Sequence, residues 1–145
     1  MRVSLSSDMP DGIASVLASE ITNRGHSVLL HGALTAEDRA DWAWSASAAA
    51  RDVATGHADQ AIVCCWTGTG ASIAANKVPG VRAALCADAY TATGARKWND
   101  ANVLALSVRA TSVPLLIEIL DAWFAEESSS DQTDDRANID HVDDI

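Results

Sequence analysis

Reactive side chains are concentrated in one short segment, CCWTGTGAS, at residues 64–72. A thiol, Cys65, ends an apolar run, and Gly68 and Gly70 follow at the start of a run of small, helix-forming residues. A thiolate that faces the first amides of a helix is stabilised by those N–H groups. A base beside such amides could remove a proton next to a carbonyl group and hold the resulting enediolate. A simple tight turn and a buried core cysteine are the alternatives.

The glycine pattern matches neither of two common nucleotide-binding loops. A P-loop requires a Gly-Lys-Ser/Thr ending, and Lys77 lies too far along the chain. A dinucleotide fingerprint belongs to the first strand–helix turn, whereas Gly68 and Gly70 follow the third predicted strand. The segment is therefore typical of a site for a phosphate group or a developing oxyanion.

Three other polar residues lie at the ends of predicted elements and could bind a substrate. Asp8 follows the first strand and could hold substrate hydroxyls, although Asp8 or Asp11 could instead cap the next helix. Arg109 follows the fifth strand and could hold an anion or form a surface ion pair. Asn99 follows the fourth helix, where a cap or turn role is the alternative.

These residues depend for their positions on an alternation of strands and helices. Apolar runs predict five strands, at residues 2–6, 26–31, 60–65, 81–86 and 101–107. Longer periodic runs predict helices at residues 12–24, 36–55, 88–98 and 113–126, with another directly after the glycine turn. The alternation predicts an α/β fold, a five-stranded parallel sheet with helices on both faces. Because ligands of such sheets bind at the carboxyl ends of the strands, we expect residues 7–8, 65–70, 88 and 107–109 to share one edge.

Length and charge set the domain organisation and exclude some partners. The 145 residues, 48% of them apolar, predict one domain at residues 1–126. Residues 127–145 form an acidic tail, expected to be partly flexible or to include a short helix at residues 137–145. The net charge is −10, and residues 126–145 hold eight of the 20 acidic side chains and one of the ten basic ones. No basic stripe is available to nucleic acid, and an anionic membrane surface would repel the chain.

The cysteines and the N-terminus predict a cytoplasmic location. The three cysteines form an odd and sparse set, unlike a disulfide framework. The N-terminus lacks the apolar region of a signal peptide, and no apolar run is long enough for a membrane-spanning helix. The cysteines and histidines lack metal-ligand spacing, so no metal site is expected.

Tryptophan is abundant for a chain with one Phe and one Tyr. Of the five tryptophans, Trp123 has the spacing of a core residue, whereas Trp42, Trp44, Trp66 and Trp98 fall in predicted loops or at element ends. A cluster of indoles near the site would make it drier and more apolar than an ordinary sugar pocket.

The chain resembles the ribose-5-phosphate isomerase B and galactose-6-phosphate isomerase family. The matching residues are 65–70, 72–77, 80–86, Tyr90, Ala92, Arg96, 99–104 and Arg109. The resemblance implies a Rossmann-like αβα sandwich that forms a homodimer or homotetramer with sites at the subunit interface. It also implies metal-independent and cofactor-free interconversion of aldose and ketose sugar phosphates through an enediolate.

The resemblance also implies a role for individual residues. It makes Cys65 the catalytic base and Thr67 the residue that supports it. Asp8 would bind substrate hydroxyls. The other implied substrate-binding residues are the amides of Gly68, Gly70, Ala71 and Ser72, with Asn99 in the substrate site and Arg109 in the phosphate site.

Several positions depart from the family pattern. Met9 replaces a histidine after Asp8, Trp66 replaces a glycine, and Trp98 replaces the histidine associated with opening the sugar ring. Trp42 and Trp44 stand in a segment where the family has Asp-Tyr-Pro. The tail is acidic where the family has phosphate-binding arginines, and Arg136 falls roughly at one of those places.

The departures favour an isomerase with an altered substrate, because indole cannot shuttle a proton as imidazole does. A sugar or sugar phosphate remains the expected small-molecule partner. A half-site subunit that needs a partner chain and a sugar-binding protein without turnover are the alternatives.

Overall fold

Strands and helices alternate along the chain, as the sequence predicts. The structure is a computed structural model that describes residues 1–126 and 133–145. The strands are β1 (Arg2–Ser7), β2 (Ser27–Gly32), β3 (Gln60–Cys65), β4 (Ala83–Leu85) and β5 (Val103–Ser107). The helices are α1 (Ala14–Asn23), α2 (Trp42–Ala54), α3 (Thr69–Asn76), α4 (Ala89–Asn99), α5 (Val113–Ala125) and α6 (Thr133–Asp143). Within these ranges, no helix is long and apolar enough to cross a membrane.

All five strands are parallel and lie in the order β2-β1-β3-β5-β4. Every residue of β3 is buried, which explains its unbroken apolar sequence, since a central parallel strand is covered on both faces. Helices α2 and α3 cover one face, and α1, α4 and α5 cover the other. The predicted αβα sandwich with a five-stranded parallel sheet is therefore confirmed.

The two faces of the sheet have cores of different character. Large buried side chains such as Leu17, Leu104 and Trp123 fill the face under α1, α4 and α5. The core under α2 and α3 is built mainly from alanines, namely Ala46, Ala49, Ala50, Ala71, Ala74 and Ala75. Because alanine is small, α3 can pack close to the sheet and bring its backbone near the end of β3.

Helix α2 begins later than the sequence pattern predicts. Residues 36–38 form a turn and a bend instead, with Glu37 at a φ of 64°, and residues 39–41 are irregular. Asp38 Oδ2 accepts a hydrogen bond from the Gly32 N–H at 2.8 Å, and such side-chain bonds compete with helix formation. The prediction of a helix from residue 36 is therefore wrong, and α2 begins at Trp42.

Helix α6 packs against α4 near the amino edge of the sheet. Ile139 is 3% exposed, and Arg82 Nη1 donates to both carboxylate oxygens of Asp143, at 2.8 and 3.0 Å. This helix is longer than the predicted one, which covered only residues 137–145. The rest of the predicted tail, residues 127–132, lies outside the described residues.

A side chain closes the outer edge of the sheet at β4. Asn76 Oδ1 accepts a hydrogen bond from the Ala83 N–H at 2.8 Å, and Asn76 Nδ2 donates to the Ala83 carbonyl at 2.9 Å. Both backbone groups that Ala83 directs away from β5 are therefore occupied by one carboxamide.

Candidate active site

The carboxyl ends of β1, β3 and β5 meet at one edge of the sheet, which we call the carboxyl edge. Cys64 pairs with Ser7, and Cys65 pairs with Ser107. The connections that leave β1 through α1 and β3 through α3 run to opposite faces of the sheet. Such a change of direction between neighbouring strands opens a crevice at their carboxyl ends. Asp8 and Cys65 stand on its two sides.

Cys65 takes the place of a capping side chain for α3. Gly68 is the N-cap residue, with a φ of 77°, and it has no side chain to receive the first helix amides. The sulfur of Cys65 instead accepts a hydrogen bond from the Ala71 N–H at 3.4 Å. The residue is 5% exposed. Its sulfur therefore lies at the positive end of α3, within hydrogen-bond reach of the first helix amides.

Two neighbouring amides at the start of α3 are available to an anion. The N–H groups of Gly68, Ala71 and Ser72 are already paired, with backbone carbonyls or with the thiol. Within residues 1–126 and 133–145, the N–H groups of Thr69 and Gly70 have no hydrogen-bond acceptor. Of the amides that the resemblance implies for an anion site, those of Gly68, Ala71 and Ser72 are therefore already occupied, and the free N–H groups lie close to Cys65.

Gly68 is required by both its backbone angle and its surroundings. A Cβ atom there would lie 2.8 Å from the carbonyl carbon of Leu106 and 2.6 Å from Cδ1 of Leu85. The backbone of β5 cannot move aside, and a φ of 77° is itself unfavourable for other residues. The turn that aims α3 at Cys65 therefore depends on this glycine.

Two threonines stand at the mouth of the turn. Thr67 Oγ1 and Thr69 Oγ1 share a hydrogen bond of 2.8 Å, and both residues are exposed. Thr67 was predicted from the sequence, whereas the Thr69 side chain was not. The Thr-Gly-Thr spacing was the signal for it, since it places two hydroxyls on one side of a tight turn.

Asp8 is half-buried at the end of β1. Burial raises the pKa of its carboxyl group, and a hydrogen bond from its own backbone N–H offsets part of that effect. Its neighbour Met9 packs partly against the core and supplies no proton-transfer group. Asp8 is therefore placed as an acceptor of hydrogen bonds at the crevice.

The other two thiols have different surroundings. Burial raises the pKa of Cys64 to about 12, and the neighbouring Cys65 and Asp8 add to that effect. Burial also raises the pKa of Cys86 to about 12, with a smaller contribution from Asp88. Both thiols stay protonated at neutral pH, which leaves Cys65 as the candidate nucleophile or base.

Indole rings surround the crevice. Trp66 directly follows Cys65 and is 53% exposed. Trp42 lies against Gly70, so that a Cβ atom at Gly70 would be 2.9 Å from the ring. Trp44 lies two positions further along α2, where it is 55% exposed and has the Arg39 guanidinium 4.0 Å from its ring centroid.

Arg109 lies at the same edge. Its backbone N–H donates to the Trp66 carbonyl at 2.9 Å, and that carbonyl also accepts from Ser107 Oγ at 2.9 Å. The side chain of Arg109 is exposed. These bonds fix the loop after β5, and with it the backbone of Arg109, against the turn after β3.

The remaining predicted site residues lie at the opposite, amino edge of the sheet. Asn99 ends α4, shortly before β5 begins, whereas Cys65 pairs with the last residue of β5. The two are separated by the length of that strand, about 13 Å. Trp98 and Asn99 line a cavity of about 410 Å³ under α6. Arg136 is on α6 and donates to Asp140 at 2.5 Å.

Trp98 folds back along α4. A Cβ atom at Gly94 would lie 2.4 Å from its ring, and the ring meets Tyr90 edge-on, with centroids 6.0 Å apart. Tyr90 is 76% exposed. The end of α4 therefore carries an exposed aromatic surface next to Asn99.

Sequence reasoning missed two serines beneath the crevice, Ser6 and Ser45. The signal was present in the first strand, where serine alternates with apolar residues in a segment that is buried from Val3 to Ser7. No group of three or more His, Cys, Asp or Glu side chains in the described ranges could hold a metal ion.

The chain is similar to known proteins over most of its length. A sequence model of the family described as "Ribose/Galactose Isomerase" matches residues 8–141. The chain is 40% identical over 111 residues to ribose-5-phosphate isomerase B of Escherichia coli (strain K12), covering 77% of this chain and 74% of that protein. It is 37% identical over 125 residues to galactose-6-phosphate isomerase subunit LacB of Clostridium acetobutylicum, covering 85% and 71%. The solved structure of ribose-5-phosphate isomerase B from Clostridium thermocellum superposes with a TM-score of 0.90 at 34% identity, covering 100% and 97%.

Proposed function

The chain belongs to the ribose/galactose isomerase family, and from that premise we propose that it is a metal-independent aldose–ketose isomerase with Cys65 as its base. The observation that carries this proposal is the hydrogen bond from the Ala71 N–H to the Cys65 sulfur, beside the free amides of Thr69 and Gly70. A base and an oxyanion hole are the two groups that enediolate chemistry needs.

In the conversion of an aldose to a ketose, the Cys65 thiolate removes the proton from C2. The electron pair of that C–H bond forms the C1=C2 double bond, and the carbonyl oxygen on C1 becomes an oxyanion. The amides of Thr69 and Gly70 stabilise this charge. The proton of the C2 hydroxyl then moves to the oxygen on C1. The Cys65 thiol returns its proton to C1, which leaves a carbonyl at C2 and restores the thiolate.

Other groups at the carboxyl edge support this chemistry. Thr67, held by Thr69, stands beside the base at the mouth of the turn. Asp8 accepts hydrogen bonds from substrate hydroxyls across the crevice, and Arg109 attracts the anionic end of the substrate. A thiolate at a helix N-terminus needs no adjacent histidine to be stabilised.

We infer that the substrate differs from that of a typical sugar-phosphate isomerase. Trp98 cannot carry a proton to a ring oxygen, so an open-chain substrate is favoured. Arg136 is paired with Asp140 on an acidic helix, which weakens its attraction for a dianionic phosphate. Trp42 and Trp66 make the crevice more apolar than a sugar pocket usually is.

We propose that the working unit is a homodimer, or a tetramer built from such dimers. In one chain, Cys65 and Asn99 lie at opposite edges of the sheet. A second copy of the chain could bring its Trp98, Asn99 and α6 to the carboxyl edge of the first. The exposed aromatic surface at Tyr90 and Trp98 supports contact of this kind.

A second candidate is a half-site subunit that needs a different, related chain. One relative of this chain is itself named as a subunit, and Trp98 here stands where the family has a histidine. In that case a partner chain would supply the missing imidazole.

Solvent exchange tests the proposal directly. The purified protein is incubated in D₂O with aldose and ketose forms of four- to six-carbon sugars, with and without phosphate, and NMR follows deuterium at C1 and C2. We expect one substrate pair to exchange and interconvert. If no pair exchanges with the protein alone or after mixing with a related chain, both catalytic proposals fail.

A further inference from the structure

Three buried oxygen atoms beneath the crevice have no hydrogen-bond partner. Among residues 1–126 and 133–145, no donor or acceptor reaches Ser6 Oγ, Ser45 Oγ or Asp8 Oδ1. Ser6 is 0% exposed and Ser45 is 1% exposed. Buried polar groups in folded proteins almost always have partners, so three such atoms near one site need an explanation.

Ser6 and Ser45 lie on the same side of the sheet, and Asp8 follows the strand that carries Ser6. Ser4 and Ser6 alternate with Val3 and Leu5 along β1, and the serines face α2. Asp8 comes two residues after Ser6, directly beyond the end of the strand. Cys65 also lies on this side, within the core under α2 and α3.

The register between β1 and α2 places Ser45 at a level between Ser6 and Asp8. Ser4 Oγ donates to Asp52 Oδ2 at 2.7 Å, which fixes the helix against the strand. From that contact toward the carboxyl edge, Ser6 lies about 7 Å along the strand and Asp8 about 13 Å. The amino end of α2 points toward the carboxyl edge. Ser45, seven residues before Asp52, therefore lies about 10 Å from Asp52 in that direction.

An independent contact supports this level for Ser45. A Cβ atom at Gly32 would lie 2.7 Å from Ser45 Cβ, and Gly32 pairs with Ser7 on β1. Ser7 stands between Ser6 and Asp8 in the strand. Ser45 therefore faces the space between the two orphaned atoms of β1.

We propose that Ser6 and Ser45 are positioning residues for Asp8, which they hold through one shared internal water molecule. A buried water typically makes about three hydrogen bonds to groups that would otherwise be unsatisfied. Here it accepts from one serine hydroxyl and donates to the other and to Asp8 Oδ1. The serines are fully buried, so they act on the substrate through Asp8 and do not touch it.

This arrangement serves the carboxylate of Asp8. Burial raises its pKa, and a hydrogen bond donated to Oδ1 favours the ionised form. An ionised and fixed carboxylate is the better acceptor for substrate hydroxyls. The inference rests on the proposed function in this respect, because it assigns Asp8 to substrate binding.

A crystal structure tests the water site without any assay of activity. At a resolution that shows ordered solvent, we expect one water molecule within hydrogen-bond distance of Ser6 Oγ, Ser45 Oγ and Asp8 Oδ1. In Ser6→Ala crystals we expect the water to be lost or disordered and the Asp8 side chain to adopt more than one rotamer. Direct contact between the two hydroxyls, with no water present, would overturn the proposal.

Kinetics tests the effect on the substrate. We expect Ser6→Ala and Ser45→Ala each to raise KM about tenfold, because the fixed acceptor at Asp8 is lost, with kcat changed less than about twofold. The double variant should raise KM no more than either single substitution does, because both serines hold the same water.

Ser4→Ala is the matched control. Ser4 is a buried serine on the same side of β1, but its hydroxyl is bonded to Asp52. We expect this variant to lose thermal stability without a change in KM. An equal rise in KM in Ser4→Ala and Ser6→Ala would reduce both serines to a structural role. If no substrate is turned over at all, the proposed function fails while the crystallographic result still decides the water site.

Discussion

Trp42 lies so close to Gly70 that a Cβ atom on the glycine would be 2.9 Å from Cε3 of the indole and 3.0 Å from Cδ2. The two residues are far apart in sequence but form one wall of the crevice. Gly70 supplies a free amide of the candidate oxyanion hole, so the contact couples an aromatic surface to the anion site.

The contact predicts a compensating pair of substitutions. Gly70→Ala should lower the free energy of unfolding by about 1–3 kcal/mol, because the added methyl group displaces the indole. In a Trp42→Ala background, the same change should be neutral or stabilising by up to about 1 kcal/mol, since alanine favours helix. Urea unfolding of the four proteins measures the coupling, and additivity of the two changes would contradict the contact.

Removal of the candidate base should abolish proton exchange. We expect Cys65→Ala to lower kcat at least about a hundredfold, because the substitution removes the group proposed to take the C2 proton. Its thermal unfolding should stay close to that of the unmodified protein. Cys86→Ala, which removes a protonated core thiol, is the control and should keep its activity. Retention of deuterium exchange in Cys65→Ala would assign the base elsewhere.

The two buried thiols predict a loss of stability at alkaline pH. The folded protein keeps the protons of Cys64 and Cys86 to about pH 12, whereas an unfolded thiol loses its proton near its ordinary pKa of 9.0. The contribution of these thiols to the free energy of unfolding is therefore fully present below about pH 9. Above that pH, it falls by about 1.4 kcal/mol for each thiol and each pH unit. Urea midpoints between pH 8 and 10.5 measure this slope. The slope should shrink in the Cys64→Ala, Cys86→Ala double variant, and an unchanged slope would refute the prediction.

The division of the site between two edges predicts complementation. Cys65→Ala and Asn99→Ala should each be nearly inactive, but mixed dimers contain one site with both native residues. Random reassociation should therefore restore about a quarter of the original activity. Cys65→Ala mixed with Asp8→Ala is the control. Both residues lie at the same edge of one chain, so each site of a mixed dimer still contains one of the two substitutions. Equal recovery in the two mixtures would place the whole site in one chain.

Replacement of the indole at the end of α4 tests the substrate inference. We expect Trp98→His to increase activity toward cyclic sugar phosphates by about tenfold or more, since imidazole can carry a proton to the ring oxygen. Activity toward open-chain substrates should change little. Comparison of kcat/KM for a cyclic and an open-chain substrate in both proteins provides the measurement. A gain of equal size for both would argue against ring opening as the missing step.

Local features of the site could be predicted from the sequence. The apolar run of β3, the glycine at the turn and the small residues of α3 are adjacent in the chain, so their geometry follows from strand, turn and helix preferences. The start of α2 could not be predicted, because Asp38 bonds to Gly32 in preference to continuing an alanine-rich helix.

Contacts between elements that are distant in the chain could not be predicted from the sequence either. The contact of Trp42 with Gly70 and the level of Ser45 opposite Ser6 depend on how far α2 slides along the sheet. No local pattern reports that register. Likewise, Asn99 was grouped with Cys65 as a site residue, and only the direction of α4 reveals that they lie at opposite edges of one chain.

The carboxamide of Asn76 on Ala83 has a consequence for self-association. An exposed strand edge can recruit another strand and seed aggregation. On β4 the outward groups of Ala83 are already occupied, and the strand has only three residues. The edge of β4 therefore offers too few free backbone groups for a strand of a neighbouring molecule to pair with it. Asn76→Ala would reopen that edge and should make the protein more prone to form fibrils without altering its chemistry.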